Sequence, residues 1–548
     1  MKRNRSPAVL VVLAAALVVA GTGGYLWLRD DGSSSDGERT LAVRACEVPL
    51  PILERVKRGY VAGRSGDVLT IERYPNLYEN RHSTPFPYTQ NVPLVLYGPG
   101  YIRRGFTSDR DVTVADIAPT FAELLGFDDF PRREGRPLED ALLRESQRNG
   151  VPKLIFTVVW DGGGDDLLGE WPTAWPELKS LQAEGASYSE ATVGSSPSIT
   201  PAVHATIGTG AFPQTHGLPD IKMRVNGKMV DAYAGTSPKF LWPKTLADLW
   251  DAANGNAPLV GMLARDAWHL GMIGHGAFLP EGDRDIAVLD ALGSIAFHTN
   301  KRYYSLPGYV DLGGLEEAVA QLDQRDGAAD ARWLGNPLIL ADGKIRYTPA
   351  WPVLQTQKIV EIIGNEGFGL DDVPDLFFTN YKTTDLAGHE WNLVEPELRD
   401  ALRAQDAEIP VLIDALDRMV GKRNYVLALT ADHGITPYPE VLGGWPINVR
   451  ELTRDLEREL DRATPRRSLV QANRGYQITL DKRELRKNGV TARDVAEWVR
   501  AYRLGANVPR GEEVTESFVG REDERLYLTA LTPHEVEDAL VCARSRAG

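Results

Sequence analysis

Four stretches of the chain are almost continuously apolar and only as long as a strand: KLIFTVVW before Asp161, DLFFTNY before Lys382, NYVLALTA before Asp432, and VPLVLYG after Asn91. A strand with one wet face alternates polar and apolar residues, whereas an unbroken run fits a strand covered on both faces. Helical patterns lie between them. One is PELRDALRAQDAEIPVLIDALDRMVG, amphipathic and closing on Gly421. The alternation predicts an α/β fold: a three-layer sandwich with a central, mostly parallel sheet flanked by helices on both faces. Two regions read as α+β insertions. Residues 220–350 are rich in Gly, Trp and Tyr and weakly periodic. Residues 436–530 hold a helix with Val449, Leu452, Leu456 and Leu460 on one face, a strand at YQITL, and a second helix from Thr491 with Asp494 as its capping partner.

The N-terminus has a different pattern. Residues 1–6 carry Lys2, Arg3 and Arg5, and the run from Pro7 to Leu28 is apolar. As a helix it would be roughly 33 Å long, enough to cross a bilayer. The basic end favours the cytoplasmic side, and Tyr25 and Trp27 suit the far interface. A cleaved signal segment is the rival reading. Either way the remainder is expected outside the cytoplasm, as a single-pass cell-membrane protein or a secreted one. Residues 29–43, containing DDGSSSDGER, read as a flexible linker.

The sequence has 548 residues, 43% hydrophobic and 25% charged, as a globular protein does. Its net charge of -15 argues against nucleic acid as a partner. Nothing in the sequence fixes an oligomeric state.

Three of the four strands lead to acidic residues. Asp161 closes the first and precedes Gly162, Gly163 and Gly164; Asp385 follows NYKTT, with His389 in the next helical turn; Asp432 and His433 close the third. Ligands of open α/β sheets bind beyond the carboxyl ends of the strands. Asp and His there are suitable ligands for zinc or a similar divalent ion. Singly, each has an ordinary reading as a turn, a cap or a solvated helix face; together they point to a metal centre. A fourth stretch, SSPSITPAVHATIGTGAFPQTHGL, puts Thr200 at a helix start after a Ser/Pro-rich loop. A hydroxyl there could attack phosphorus while free N–H groups steady the phosphoryl oxygens, or it could simply cap the helix.

VVWDGGGDDLL, SITPAVHATIGTGAFPQTHGL, NYKTTDLAGHEWN and LTADHGI together resemble the alkaline phosphatase superfamily. The branch is that of type I phosphodiesterases, nucleotide pyrophosphatases and threonine-nucleophile alkaline phosphatases. The resemblance implies two divalent metal ions, in this family usually zinc, about 4 Å apart. Asp161, Asp432, His433 and the Thr200 oxygen would hold one; Asp385, His389 and a further histidine the other. Thr200 would carry the phosphoryl group as a phospho-threonine.

The family's last histidine comes after the DHG motif, and here only His534 does. It sits in LTPHEVEDAL, which reads as a capped helix start. His82 fits better. RSGDVLTI, RHSTPFPYTQNVPLVLYGPG and VTVADIAPTFAELLGF, within residues 64–127, resemble the family's C-terminal stretch placed ahead of its core. The chain thus resembles a circular permutation, with residues 44–145 as the moved segment and 146–548 as the rest of the catalytic core. His82 would complete the second metal site. Neighbouring old termini would also favour a Cys46–Cys542 disulfide. Val203 stands where nucleotide pyrophosphatases usually carry Asn, so substrate choice is open. His204 and His216 read as structural. The expected activity is extracytoplasmic, metal-dependent hydrolysis of a small phosphoester: a diester, a pyrophosphate or a monoester. The alternatives are phosphoryl transfer to an envelope acceptor, or a binding protein that kept the fold.

Overall fold

Eight strands build the central sheet of the computed structural model, which describes residues 47–78, 82–290, 296–325, 327–462 and 467–547. In chain order they are β1 (Leu94–Tyr97), β2 (Phe106–Ser108), β3 (Leu154–Trp160), β4 (Ala186–Tyr188), β5 (Val260–Ala264), β6 (Ile286–Leu289), β7 (Asp375–Tyr381) and β8 (Tyr425–Ala431). They lie side by side as β6-β5-β7-β3-β8-β1-β4-β2. From β6 to β8 all neighbours are parallel. The antiparallel strand β1 then breaks the run, pairing with β8 and β4. Register decides where the chemistry falls. Trp160, the last residue of β3, is opposite Tyr381 of β7 and Ala431 of β8, so the three strands end level. Asp161, Lys382 and Asp432 therefore leave the sheet at one edge.

Every residue of β3, β7 and β8 is buried, as their unbroken apolar runs require. Successive side chains point to opposite faces. Ile155 and Val159 of β3 join Ile117, Phe121, Val203 and Trp250 on one side. Phe156 and Val158 join Leu178, Ile359, Ile362 and Leu402 on the other. Helices α1 (Thr200–Thr209) and α2 (Leu246–Ala253) lie in the first layer; α3 (Ala350–Glu366) and α5 (Pro396–Leu416) lie in the second, and α4 (Thr383–Glu390) follows β7.

Residues 220–350 are not simply an insertion, because they supply β5, β6 and α2 to the core. Their strands are only five and four residues long, too short to show a period. Residues 436–530 contribute to a second, four-stranded sheet, ordered Val470–Asn473, Gln477–Leu480, Val68–Glu72, Tyr527–Leu531. It packs on the apolar faces of Val449–Leu460 and Ala492–Ala501. Thr491 and Asp494 form the reciprocal cap read from the sequence, with Thr491 N–H donating to Asp494 over 2.7 Å. The segment before residue 145 is thus stitched into both sheets, through Val68–Glu72 and β1.

The expected anchor at 7–28, the linker at 29–43 and Cys46 lie outside the described residues. Among the described residues, no helix is long and apolar enough to cross a membrane.

Candidate active site

Asp161, Asp432 and His433 meet at the level ends of β3 and β8. His433 Nε2 is 3.4 Å from Asp161 Oδ1 and 3.4 Å from Asp432 Oδ2. All three atoms are buried and none has a hydrogen-bond partner. Asp385 and His389 lie one turn apart on α4, with His389 Nε2 3.4 Å from Asp385 Oδ1. His82 arrives from the other end of the chain, its Nε2 3.6 Å from the same oxygen. A tetrahedral ion with bonds of about 2.0–2.1 Å places its ligand atoms about 3.3–3.4 Å apart. The two clusters have nearly that spacing.

The histidine tautomers agree. A carbonyl oxygen only accepts, so His82 Nδ1–H donates to Ser198 O over 3.1 Å, and His433 Nδ1–H to Gly434 O over 2.9 Å. Each ring therefore turns a bare Nε2 toward the carboxylates, the usual arrangement of a metal-ligating imidazole. Burial, then the charge of Asp161, push the Asp432 carboxyl well above its ordinary value. A buried acid in that condition is relieved by a cation. The residues present thus fit divalent ions in two groups, Asp161 with Asp432 and His433, and His82 with Asp385 and His433, each offering ligand atoms within 4.8 Å of one another. His433 is common to both, and His389 belongs to neither group, although it touches Asp385.

Thr200 is the first residue of α1, not its cap; Ile199, in extended conformation, precedes it. The loop before it is knitted to the His82 loop, with Ser198 Oγ donating to His82 O over 2.6 Å.

Sequence reasoning missed four residues here. Lys382, which follows β7, is buried and its Nζ lies 2.7 Å from Asp161 Oδ2, 2.9 Å from Asp385 Oδ2 and 3.2 Å from Thr200 Oγ1. Burial opposes its charge, but Asp161, Asp385 and Asp432 outweigh that and hold it protonated. Burial likewise pushes Asp161 up, yet Lys382 and the neighbouring imidazoles bring it well below the usual carboxylate range. The two carboxylates are divided by atom: Oδ2 faces Lys382, while Oδ1 faces His433 at Asp161 and His82 and His389 at Asp385. Asn380 joins this array, its Nδ2 3.1 Å from Asp161 Oδ2 and 3.0 Å from His204 Nε2. His269 Nε2 lies 3.6 Å from Asp161 Oδ2. Arg265 follows β5; it is only 3% exposed, and its Nε and Nη2 have no hydrogen-bond partner. One signal was readable: an apolar strand that ends on Lys382 beside two that end on Asp.

A cleft of about 300 Å³ opens here, walled by His82, Thr200, Arg265, Trp268, Lys382 and His389. His534 is elsewhere, exposed at the start of Pro533–Ala547, with Asp538 4.0 Å away. His204 and His216 are fully buried and hydrogen-bonded inside the fold, His204 Nδ1–H donating to Thr200 O over 2.8 Å.

The sequence profile of type I phosphodiesterase / nucleotide pyrophosphatase matches residues 155–520. The chain belongs to that family. As a type I phosphodiesterase / nucleotide pyrophosphatase family member it is a phosphoric ester hydrolase of the alkaline phosphatase superfamily. It is similar to alkaline phosphatase PafA of Elizabethkingia meningoseptica, with 23% identity over 418 residues covering 65% of this chain and 74% of the relative. Alkaline phosphatase PhoD of Zymomonas mobilis is 24% identical over 330 residues, covering 53% of this chain and 54% of that one. A crystal structure of a quadruple mutant of PafA superposes with a TM-score of 0.50 at 18% identity, covering 70% of this chain and 85% of that one, and supports the shared fold. The family match includes every candidate ligand except His82.

Proposed function

We propose that this protein hydrolyses phosphoric monoesters through Thr200, with two divalent ions held by Asp161, Thr200, Asp432 and His433 and by Asp385, His389 and His82. The observation that carries the reading is the trio of buried ligand atoms without hydrogen-bond partners, Asp161 Oδ1, Asp432 Oδ2 and His433 Nε2, set at the start of the helix that bears Thr200. Bound there, such ions would supply Lewis-acid charge that lowers the pKa of a hydroxyl and neutralises phosphoryl oxygens.

The chain's own residues would do the rest. The start of α1 turns the positive end of the helix dipole to the phosphoryl oxygens; Pro201 has no N–H, and those of Ala202 and Val203 already donate to Ile199 O. The Thr200 hydroxyl loses its proton to solvent, its oxygen attacks phosphorus, the bond to the ester oxygen breaks, and the alcohol leaves with a proton from solvent. Water then cleaves the phospho-threonine. Lys382, already within 3.2 Å of the Thr200 oxygen, would donate to that oxygen or to the group it carries. Arg265 holds N–H groups in reserve for a non-bridging oxygen. Two cations beside one nucleophile favour a monoester, which brings one more negative charge than a diester.

The position of His82, upstream of the family match and yet beside Asp385, supports a circular permutation of the core. The apolar run at 7–28 supports a location outside the cytoplasm, anchored or released.

Metal analysis of purified protein, with rates on an aryl monoester and the matching diester before and after chelation, tests the function. About two equivalents of metal and a chelator-sensitive, monoester-selective activity are expected. Full activity in metal-free protein would refute the bimetallic reading, and diester preference would refute the substrate class.

A further inference from the structure

At the edge of the sheet opposite the catalytic cleft, three more carboxylates converge. Asp251 lies in the last turn of α2, and Asp283 and Asp285 immediately precede edge strand β6. One ligand atom from each lies within 4.8 Å of the other two. Asp251 and Asp285 are 5% and 7% exposed, and Asp283 is open to solvent. Asp251, one of the three, has its Oδ1 buried without a hydrogen-bond partner.

The ionisable groups that bear on Asp251 are Asp283 and Asp248, and those on Asp285 are Asp248, Asp251 and Asp283, all acids. Of the adjacent bases, Lys244 pairs with Glu281 and His275 with Asp248 at 2.8 Å, while Arg284, between Asp283 and Asp285 in sequence, is exposed to solvent. Burial, followed by these acidic neighbours, pushes Asp251 up to about 7 and Asp285 well above the carboxyl range. A cluster of this kind must either hold protons or bind a cation.

We infer that Asp251, Asp283 and Asp285 form a binding site for a hard divalent cation, calcium by its chemistry, which ties the approach to β6 onto the C-terminal turn of α2. The donors are all oxygens, two of them pre-placed. Calcium takes six to eight oxygens at about 2.3–2.6 Å, so donors on opposite sides of it are about 4.6–5.2 Å apart and neighbouring donors closer, and solvent at Asp283 can fill the remaining positions. The C-terminal end of α2 adds its partial negative charge. No imidazole or thiolate is among the donors, so zinc is disfavoured. The site is distinct from the catalytic centre but mechanically related to it. The segment between β5 and β6 brings Arg265 and Trp268 to the cleft and His269 to Asp161, and the cation would fasten its far end.

The test uses the full chain with its catalytic metals in place. Calcium at several times its dissociation constant should raise Tm by about 1–2 °C. Terbium should bind with luminescence sensitised by Trp250, next to Asp251 in sequence, and calcium should displace it. Asp251→Asn and Asp285→Asn should lose both responses while catalytic metal content stays unchanged. Asp283→Asn, at an exposed position, keeps the test open if the buried variants do not fold, and it should weaken calcium binding at least about tenfold. The inference fails if calcium leaves the wild-type Tm unchanged, or if the response survives in the variants. It also fails if Asp285→Asn is more stable than the wild type and indifferent to calcium, which would mark a protonated cluster.

Discussion

The imidazole of His82 lies flat against that of His433, with ring centroids 3.5 Å apart and planes 6° from parallel. Two rings so close cannot both be charged, and burial, then His433 itself, lowers the pKa of His82 well below normal. Each ring instead spends its Nδ1–H on a backbone carbonyl and presents Nε2 to a carboxylate. The stacked pair is a shared wall between two ligand sets.

Removing that wall should cost one ion. His82→Ala is expected to lower metal content by about one equivalent and activity by at least about 10²-fold. His534→Ala, on an exposed helix start, should change stability by less than about 0.5 kcal/mol and leave metal content alone. Metal analysis of the two variants side by side decides the matter; the reverse pattern would displace His82 from the centre.

Thr200→Ala should lower turnover by about 10⁴-fold or more, as loss of a covalent nucleophile does. Metal content should stay close to two equivalents, since the Asp and His ligands of both sets remain. Thr200→Ser should retain measurable turnover. Acid quenching of wild type with radiolabelled monoester should trap label on a peptide containing residue 200, and none in the alanine variant.

Lys382→Met separates a catalytic role from a scaffolding one. If the ammonium only holds Asp161 and Asp385 apart, its loss should release metal. If it donates to the nucleophile or the transferring group, kcat should fall by about 10²-fold with metal content intact or higher, because a like charge near the ions has gone. The contact of 3.2 Å to Thr200 Oγ1 favours the second outcome. Metal titration and steady-state rates on one preparation read both.

His275 gives a pH prediction away from the metal centre. Burial lowers its pKa, but the hydrogen bond and charge of Asp248 at 2.8 Å outweigh burial and raise it above the ordinary value. A histidine with a raised folded-state pKa adds stability that is fully present below its unfolded value of about 6.5 and is lost as pH rises through the folded value. Lys244 acts on the ring in the opposite sense, and its pairing with Glu281 limits that effect. Denaturant melts of wild type and His275→Gln should therefore differ most at acidic pH and converge above neutrality. A constant difference across that range would remove this pair from the pH response.

Much of this site was legible along the chain because its signals are local. Unbroken apolar runs marked β3, β7 and β8 as covered strands, and an Asp or Asp-His directly after a strand keeps its place whatever the loops do. Arg265 and His269 were hidden because β5 and β6 are too short to show a period, so the region around them looked like an insertion. Lys382 stood in plain sight, but an ammonium earns a role only from what surrounds it.

The amino-acid order by itself determined the layered α/β class, the strand ends that carry Asp161 and Asp432, the turn after β7 that carries Asp385, and the helix that begins at Thr200. Tertiary structure alone decided that those strand ends are level, that Lys382 divides two carboxylates by their oxygens, and that Asp251 meets Asp283 and Asp285. The reason is physical. Periodicity and capping act over a few residues and leave a trace in each segment, whereas register and convergence arise from pairing between segments far apart in the chain.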